Sequence, residues 1–473
     1  MSHHQFETLT NITKLMNAGE LSAVQLCKDM IDHISDLNPR MQAYSDIIFV
    51  SAMREAEESD RRRASGTVRG PLDGVPIAIK DLIDVTPARC KAGLVHLSDY
   101  RPRKDAPVVQ CLREAGAVIM GVTELDNGAF GTRTEIVINP IASDRIVGGS
   151  SGGSGAAVAA GMAYAALATD TGGSIRIPAA CCSIAGFKPT WGRISAVGVR
   201  PLAKSFDHVG PFARSVADLQ IMRSTTDVAA ETPEQRPLPP TLRFGFCDAY
   251  ATDAHANIKA AMGMLEDKLT SMRQTTCQAV LPSPDQVMSF HMINLPREAA
   301  TYHQENFPQQ LPHYAEVARG TIEMGLAQSQ ERYEWAERQR DVARNVVDRN
   351  FEFADVIVVP VLPMDAPLRS AETIELAGRS FSVLEATVRY TALFNQTGHP
   401  VVSLPIQMLP DGRALSAQLV GPRNGDRLLL DVARRLEEML ALRIDYASLL
   451  SLHQSEYVLA NPTAYKCGDR HAN

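Results

Sequence analysis

No CxxC pair occurs among the eight cysteines of this 473-residue chain, which stand apart at 27, 90, 111, 181, 182, 247, 277 and 467. A disulfide framework or a zinc knuckle is therefore not expected, and reduced thiols fit a cytoplasmic protein better. The adjacent Cys181 and Cys182 are poor partners for each other and read as buried thiols. No stretch approaches 18 uninterrupted apolar residues, and Met1-Ser2-His3-His4-Gln5-Phe6 lacks a charged-then-apolar leader pattern. Neither a membrane span nor a secretory signal is expected. The net charge of −7 comes without a basic cluster, so no nucleic-acid surface is expected. HExxH is absent, and His208, His399 and His453 have no metal-ligand spacing, so no metal is expected. Internal repeats and low-complexity tracts are missing as well.

What is present is an ordinary globular balance, 45% apolar and 21% charged. The first 65 residues read as helices. Ser22-Ala23-Val24-Gln25 has a capping-box pattern, followed by Val24, Cys27, Ile31 and Ile34 at helical spacing until Asn38-Pro39 ends the run. Arg61-Arg62-Arg63, after an acidic stretch, reads as a solvated helix face. From about residue 70, β-branched runs alternate with amphipathic segments. Val75–Ile79, Ala117–Met120, Leu242–Phe246, Asp355–Val359 and Val401–Leu404 are the runs; Val108–Ala115, Ala254–Met272 and Arg427–Leu440 are helical between them. That alternation predicts an α/β fold with a largely buried sheet. Residues 285–350 read as mostly helical, part of them roofing a pocket, and the proline-rich piece from Glu231 to Pro240 reads as a surface loop within one domain.

The chemistry concentrates in two glycine-rich turns. Gly148-Gly149-Ser150-Ser151-Gly152-Gly153-Ser154-Gly155 opens directly into the alanine-rich segment Ala156–Ala160, which a flexible linker would not do. No Gly-Lys-Ser/Thr closes it as a phosphate loop. Gly148–Gly152 also fits G-x-S-x-G, the nucleophile elbow of esterases of the α/β-hydrolase type, with Ser150 as nucleophile. The second turn, Thr171-Gly172-Gly173-Ser174, sets consecutive backbone N–H groups beside a hydroxyl, with Ser174 lying 24 residues after Ser150. Glycines let such a turn curl its amides toward one point, as an oxyanion hole requires. Lys80 ends the apolar run Val75–Ile79. Two hydroxyls and one desolvated amine make a proton relay for acyl chemistry without histidine, metal or cofactor.

These residues resemble the amidase signature family. The match comprises Gly74–Asp81, Gly148–Gly155, Thr169–Pro178, Gly186–Thr190 and Gly192–Ser195, and extends weakly through Asp355–Pro363 and Asn395–Gly421. The resemblance implies the amidase signature fold, an α/β architecture with a central mixed twisted sheet flanked by helices on both faces. It implies one domain over residues 1–473, made of an N-terminal helical segment (1–65), a catalytic core (70–225), a variable substrate-side region (230–350) and a C-terminal part of the same sheet (351–473). It further implies that Ser174 is the nucleophile and that Ser150, after a cis peptide bond, bridges to the base Lys80. Thr171, Gly172 and Gly173 would supply oxyanion-hole amides, with Ser151, Asp170 and Arg176 as supports.

The implied activity is hydrolysis of carbonyl C–N bonds in linear amides through an acyl- or carbamoyl-enzyme, with no cofactor. Scattered aromatics at 285–350, together with Phe130, Tyr390 and Phe394, point to an aryl amide or carbamate substrate. A homodimer is the default oligomer. The family also contains glutamine amidotransferase subunits that need a partner, which remain an alternative. Two departures stand out. Thr86–Leu94 is shorter than is usual in the family, with Lys91 and Leu94 in place of small hydroxyl residues, and suggests a more open cleft; Ser183 stands where a glycine is common.

Overall fold

The apolar runs become the strands of one large sheet in a computed structural model that describes residues 3–227 and 238–460. The first half of the chain supplies β1 (Tyr44–Ile47), β2 (Pro76–Lys80), β3 (Val118–Thr123), β4 (Ala165–Asp170), β5 (Ala185–Lys188) and β6 (His208–Ala213). The second half supplies β7 (Arg243–Phe246), β8 (Thr275–Gln278) and β9 (Val356–Pro360). A hairpin of β10 (Thr373–Leu376) and β11 (Arg379–Ser382) follows, then β12 (Val401–Met408) and β13 (Ala414–Val420). Apart from the hairpin these form an eleven-stranded sheet in the order β1-β3-β2-β4-β6-β5-β12-β13-β9-β7-β8. The neighbours β3, β2 and β4 run parallel, as do β9, β7 and β8. The strands that join these two groups pair antiparallel, so the sheet is mixed.

Every residue of β2, β3 and β4 is buried, as parallel strands covered by helices on both faces demand. The helix Gly152–Ala159, buried on all sides, packs against β2 and β4 because its glycines and alanines permit close approach. One apolar core runs from Leu9 to Leu450. Helices Pro284–Asn306, Glu316–Leu326 and Gln330–Arg349 fill the region read as helical.

The N-terminal reading needs three corrections. Asn38-Pro39 does not end its helix, which continues to Met41 and stops at Gln42 in the left-handed region. Leu37 and Met41 are both buried, and their packing outweighs the local cost of a proline in the last turn. The first 65 residues are not all helical, because Tyr44–Ile47 pairs antiparallel with β3 as an edge strand. The arginine run is not a uniform solvated face. Arg62 grips the buried Asp73 carboxylate through Nε (3.0 Å) and Nη2 (2.6 Å), and Arg63 Nη2 donates to the Asp73 carbonyl oxygen (2.6 Å). The capping box is half made: Ser22 Oγ accepts from Gln25 N, while the Gln25 side chain turns to Asp29.

Of the proline-rich piece, residues 231–237 lie outside the described residues. The carbonyls of Pro239 and Pro240 accept from Arg435. Among the described residues no helix is long and apolar enough to cross a membrane, and the seven described cysteines are free thiols.

Removing one member of a buried ion pair strands the other. Arg62→Ala is expected to lower unfolding free energy by about 3 kcal/mol, read from chemical denaturation, whereas Arg61→Ala, on the exposed side of the same helix, should change it by less than about 0.5 kcal/mol.

Candidate active site

β2 and β4 are adjacent and parallel, in a register that pairs Ile79 with Leu167, so Lys80 and Thr169 come together at their carboxyl ends. This is where open α/β sheets form their sites. Lys80 is fully buried, and its Nζ contacts two hydroxyls, Ser150 Oγ at 2.8 Å and Thr169 Oγ1 at 2.9 Å. Burial disfavours the ammonium and holds Lys80 down to about 7, although Asp126, Asp170 and Asp207 pull the other way. None of these carboxylates forms an ion pair with it within 4 Å among the described residues.

The Gly149–Ser150 peptide bond is cis. The loop around it has no room for side chains. A Cβ on Gly149 would stand 2.0 Å from Asp126 Oδ2, and one on Gly153 would stand 2.4 Å from the Ala43 carbonyl oxygen. Asp126 and Thr134 clamp this loop. Asp126 accepts from Thr134 N and Oγ1, Asp126 N donates to the Ser150 carbonyl, and Gly152 N donates to Thr134 Oγ1. Ser151 Oγ donates to the Thr169 carbonyl at 3.1 Å, tying the loop to β4.

The second turn leaves β4 at Asp170. The N–H groups of Thr171, Gly172 and Gly173, and that of Ser174, make no hydrogen bond within the described residues, whereas the next one, Ile175 N, donates to Asp170 Oδ2. Gly173 has φ +136°, and a Cβ there would meet Thr391 Oγ1 at 2.3 Å. Thr391 Oγ1 donates to the Gly172 carbonyl, and Thr171 Oγ1 donates to Asp207 Oδ1 at 2.6 Å, so the turn is pinned on both sides. Burial pushes the Asp207 carboxyl up to about 7 against the opposing bonds from Thr171 and the backbone.

Ser174 faces a narrow cavity, of which about 60 Å³ is open to water-sized molecules. Phe130, Leu202, Met292, Leu295, Leu384 and Val388 give it mostly apolar walls, and none of its lining side chains is a carboxylate, lysine or arginine. A wider cleft of about 520 Å³ shares Phe130, Gly131, Thr132 and Leu384 with it and brings in Glu124, Asp126, Arg133, Glu135 and Glu316. Among the described residues no hydrogen bond joins Ser174 Oγ to Ser150 Oγ.

The Amidase family model matches residues 25–430. The chain belongs to the amidase signature family. It is 29% identical to a putative amidase, AmiD, of Mycobacterium tuberculosis, covering 91% of this chain and 94% of that one. It is 32% identical to a glutamyl-tRNA(Gln) amidotransferase subunit of Carboxydothermus hydrogenoformans, covering 90% and 96%. A crystal structure of an amidase superposes with a TM-score of 0.85 at 30% identity, over 91% of this chain and 99% of that one. The chain is thus an amidohydrolase acting on carbon–nitrogen bonds other than peptide bonds.

Asp170 and Arg176 of this amidase form a fully buried ion pair through Nε (3.0 Å) and Nη2 (2.9 Å). Burial alone would raise the Asp170 carboxyl, but the Arg176 guanidinium holds it below the usual carboxylate range. Arg176 also donates to the Thr391 carbonyl, Gln418 Oε1 and Asn395 Oδ1, and Asn395 Nδ2 donates back to Asp170 Oδ1. Nothing in their local sequence marked Thr391, Asn395 and Gln418, or Asp126 and Thr134, as site residues. Thr169 stood next to Asp170 in the matched segment without being singled out.

Of the three aromatics expected at the substrate, Phe130 lines both cavities. Tyr390 and Phe394 are not among the lining residues. Both are fully buried, Tyr390 against the Tyr250 ring at 5.1 Å, because they sit on the core side of the segment whose other side carries Thr391 and Asn395. Helix Pro284–Asn306 does roof the cavity, contributing His291, Met292, Leu295 and Pro296.

Within the segment Thr86–Leu94, Gly93 lines the wider cleft. Leu94 is buried in an apolar cluster with Phe130, and Lys91 Nζ donates to the Ser45 carbonyl. Ser183 occupies the left-handed region at φ +53°, a conformation that favours glycine, and its Oγ accepts from Ala414 N at 2.9 Å. His208 Nδ1 bonds the Phe206 carbonyl, and His399 bonds Asp348 and Thr397. His453 is half-buried on helix Tyr446–Ala460. No cluster able to hold a metal ion occurs among the described residues.

Because Gly173 admits no Cβ beside Thr391, Gly173→Ala is expected to misalign the turn. Its kcat should fall by at least about 100-fold, the scale for losing an oxyanion donor, with the far-UV spectrum unchanged. A wild-type rate would show that the turn does not serve the reaction.

Proposed function

We propose that the chain hydrolyses aryl amides or aryl carbamates, with a small acyl portion in the apolar cavity and the aryl amine in the outer cleft, through an acyl-enzyme on Ser174. The observation that carries this reading is the buried Lys80 Nζ bonded to Ser150 Oγ beside the Ser174 turn. A lysine held down to about 7 is partly neutral near neutrality, and only the neutral amine can accept a proton.

As Ser174 attacks, its proton passes to Ser150 and the Ser150 proton passes to Lys80. Catalytic hydrogen bonds often tighten only when substrate is bound, and rotation of the Ser174 side chain would close this relay. The new C–O bond sends the carbonyl π electrons to oxygen, where the N–H groups of Thr171, Gly172 and Gly173, joined by that of Ser174, would hold the charge. Collapse restores the carbonyl and breaks the C–N bond while the relay returns its proton to the leaving nitrogen. Water then enters, loses a proton to the same relay, and releases the acyl or carbamoyl group as its acid. Ser150 is the weaker candidate for nucleophile, since its Oγ is taken up by Lys80 and it is fully buried, whereas Ser174 faces the cavity.

Likeness to the amidotransferase supports a second reading, a partner-dependent glutaminase. The uncharged wall around Ser174 counts against it, because glutamine brings an ammonium and a carboxylate that need partners.

A fluorophosphonate is expected to modify Ser174 of the isolated chain, as located by peptide mass spectrometry, and the adduct should be lost in Lys80→Ala. An adduct on Ser150 would overturn the assignment. Anilides and aryl carbamates should turn over without ATP or a partner, and turnover of polar primary amides alone would overturn the substrate class. The value of kcat/KM should rise with pH through about 7 and level off above it, because the base works deprotonated.

A further inference from the structure

The wall of the inner cavity carries one feature that the reaction outlined above does not use. His291 is buried on helix Pro284–Asn306 and lines the cavity opposite the nucleophile's turn. Its Nε2 lies 3.5 Å from the point a Cβ on Gly172 would occupy. The tautomer follows from the neighbours. Gln396 Oε1 accepts from Asn294 Nδ2 at 3.2 Å, which leaves Gln396 Nε2 to donate to His291 Nδ1 at 3.0 Å. Turning both amides over would strand the whole Asn294 NH2 group, whereas the present arrangement strands only Asn294 Oδ1. Orphaned N–H groups are the rarer of the two. Arg340 Nε donates to the Gln396 backbone carbonyl at 2.8 Å and so holds the main chain that carries this side chain. With Nδ1 accepting, the ring proton sits on Nε2, which has no partner among the described residues. Burial keeps the ring neutral, with its pKa lowered to about 4, so it remains a single donor across the working pH range.

A side-chain N–H donor in a mostly apolar wall, set apart from the amides that face the scissile carbonyl, favours a ligand that supplies a second acceptor and discriminates against one that does not. Thr321, on the same wall, has its hydroxyl engaged by the Val317 carbonyl, so it does not compete for that acceptor. We propose that His291 Nε2–H recognises an oxygen of the acyl portion close to the scissile carbonyl, which makes amides of short α-oxygenated acids (2-hydroxy, 2-alkoxy or 2-oxo acyl groups) the preferred substrates. This inference rests on the reading that the inner cavity takes the acyl portion.

The test compares two isosteric 4-nitroanilides, those of methoxyacetic acid and butanoic acid, which differ by an ether oxygen in place of a methylene. In His291→Leu the ratio of kcat/KM for the methoxyacetyl over the butanoyl substrate is expected to fall about 30-fold. His291→Gln, which places an N–H near the same point, should recover most of that ratio. Fluorophosphonate should still label Ser174 in both variants, which separates loss of recognition from loss of fold. An equal fall for both substrates, or an unchanged ratio, in a chain that still labels at Ser174 overturns the role of His291 alone. A wild-type chain that does not label at Ser174, or that labels and hydrolyses neither anilide, overturns the underlying reading with it.

Discussion

Everything at this site follows from burying one amine among hydroxyls. A lysine placed beside a carboxylate at the end of β2 would be a permanent cation and useless as a base. Lys80 instead meets Ser150 and Thr169, and the nearest carboxylates are occupied elsewhere. Asp170 is committed to Arg176, Asp126 to Thr134, and Asp207 to Thr171 and the backbone of residues 202–203. Each acid therefore braces a loop and leaves the amine without a direct counter-charge. The same bonds that fix the two serine turns thus also govern the charge state of the lysine.

The two halves of the sheet divide this labour. The parallel strands β2 and β4 bring Lys80 and Thr169 to one level by register alone. Residues 391–418, which arrive from far along the chain, supply the lock on the second turn. Thr391 reaches Gly172, Asn395 reaches both Asp170 and Arg176, and Gln418 on β13 closes the guanidinium's last direction. The pair Asp170–Arg176 is buried without loss because its donors and acceptors are met in this way.

How much of this could be read from the residues depended on locality. The serine turns and the lysine carry dense local signals, namely glycines where no Cβ fits and an apolar run ending in a cation, and they stood out in the sequence. Strand β2, which carries the lysine, was equally plain as a short β-branched run, whereas β4, built mostly of alanines, gave no such signal. Asn395 and Gln418 gave no such signal, since a polar residue beside an apolar run is indistinguishable from a surface one until the partner strand is known. The segment 390–396 shows the difficulty most clearly. Its aromatics, Tyr390 and Phe394, looked like ligand contacts and are core, while their polar neighbours Thr391, Asn395 and Gln396 hold the site. Pro39 failed for a related reason, because a local helix-stop signal was outweighed by the packing of Leu37 and Met41.

The position of β12 and β13 also bears on how the chain is made. These late strands lie between β5 and β9 and are the hydrogen-bonded link joining the strands of the first half to those of the second. During synthesis, therefore, β5 waits for residues 401–403 and β9 for residues 417–420, and until then both present open edges to whatever else is nearby. The residues that lock Asp170, Arg176 and Gly173 emerge in the same stretch. A nascent chain consequently carries the lysine and both serines well before it can aim them, so the site and the sheet are completed together, once these strands have been made.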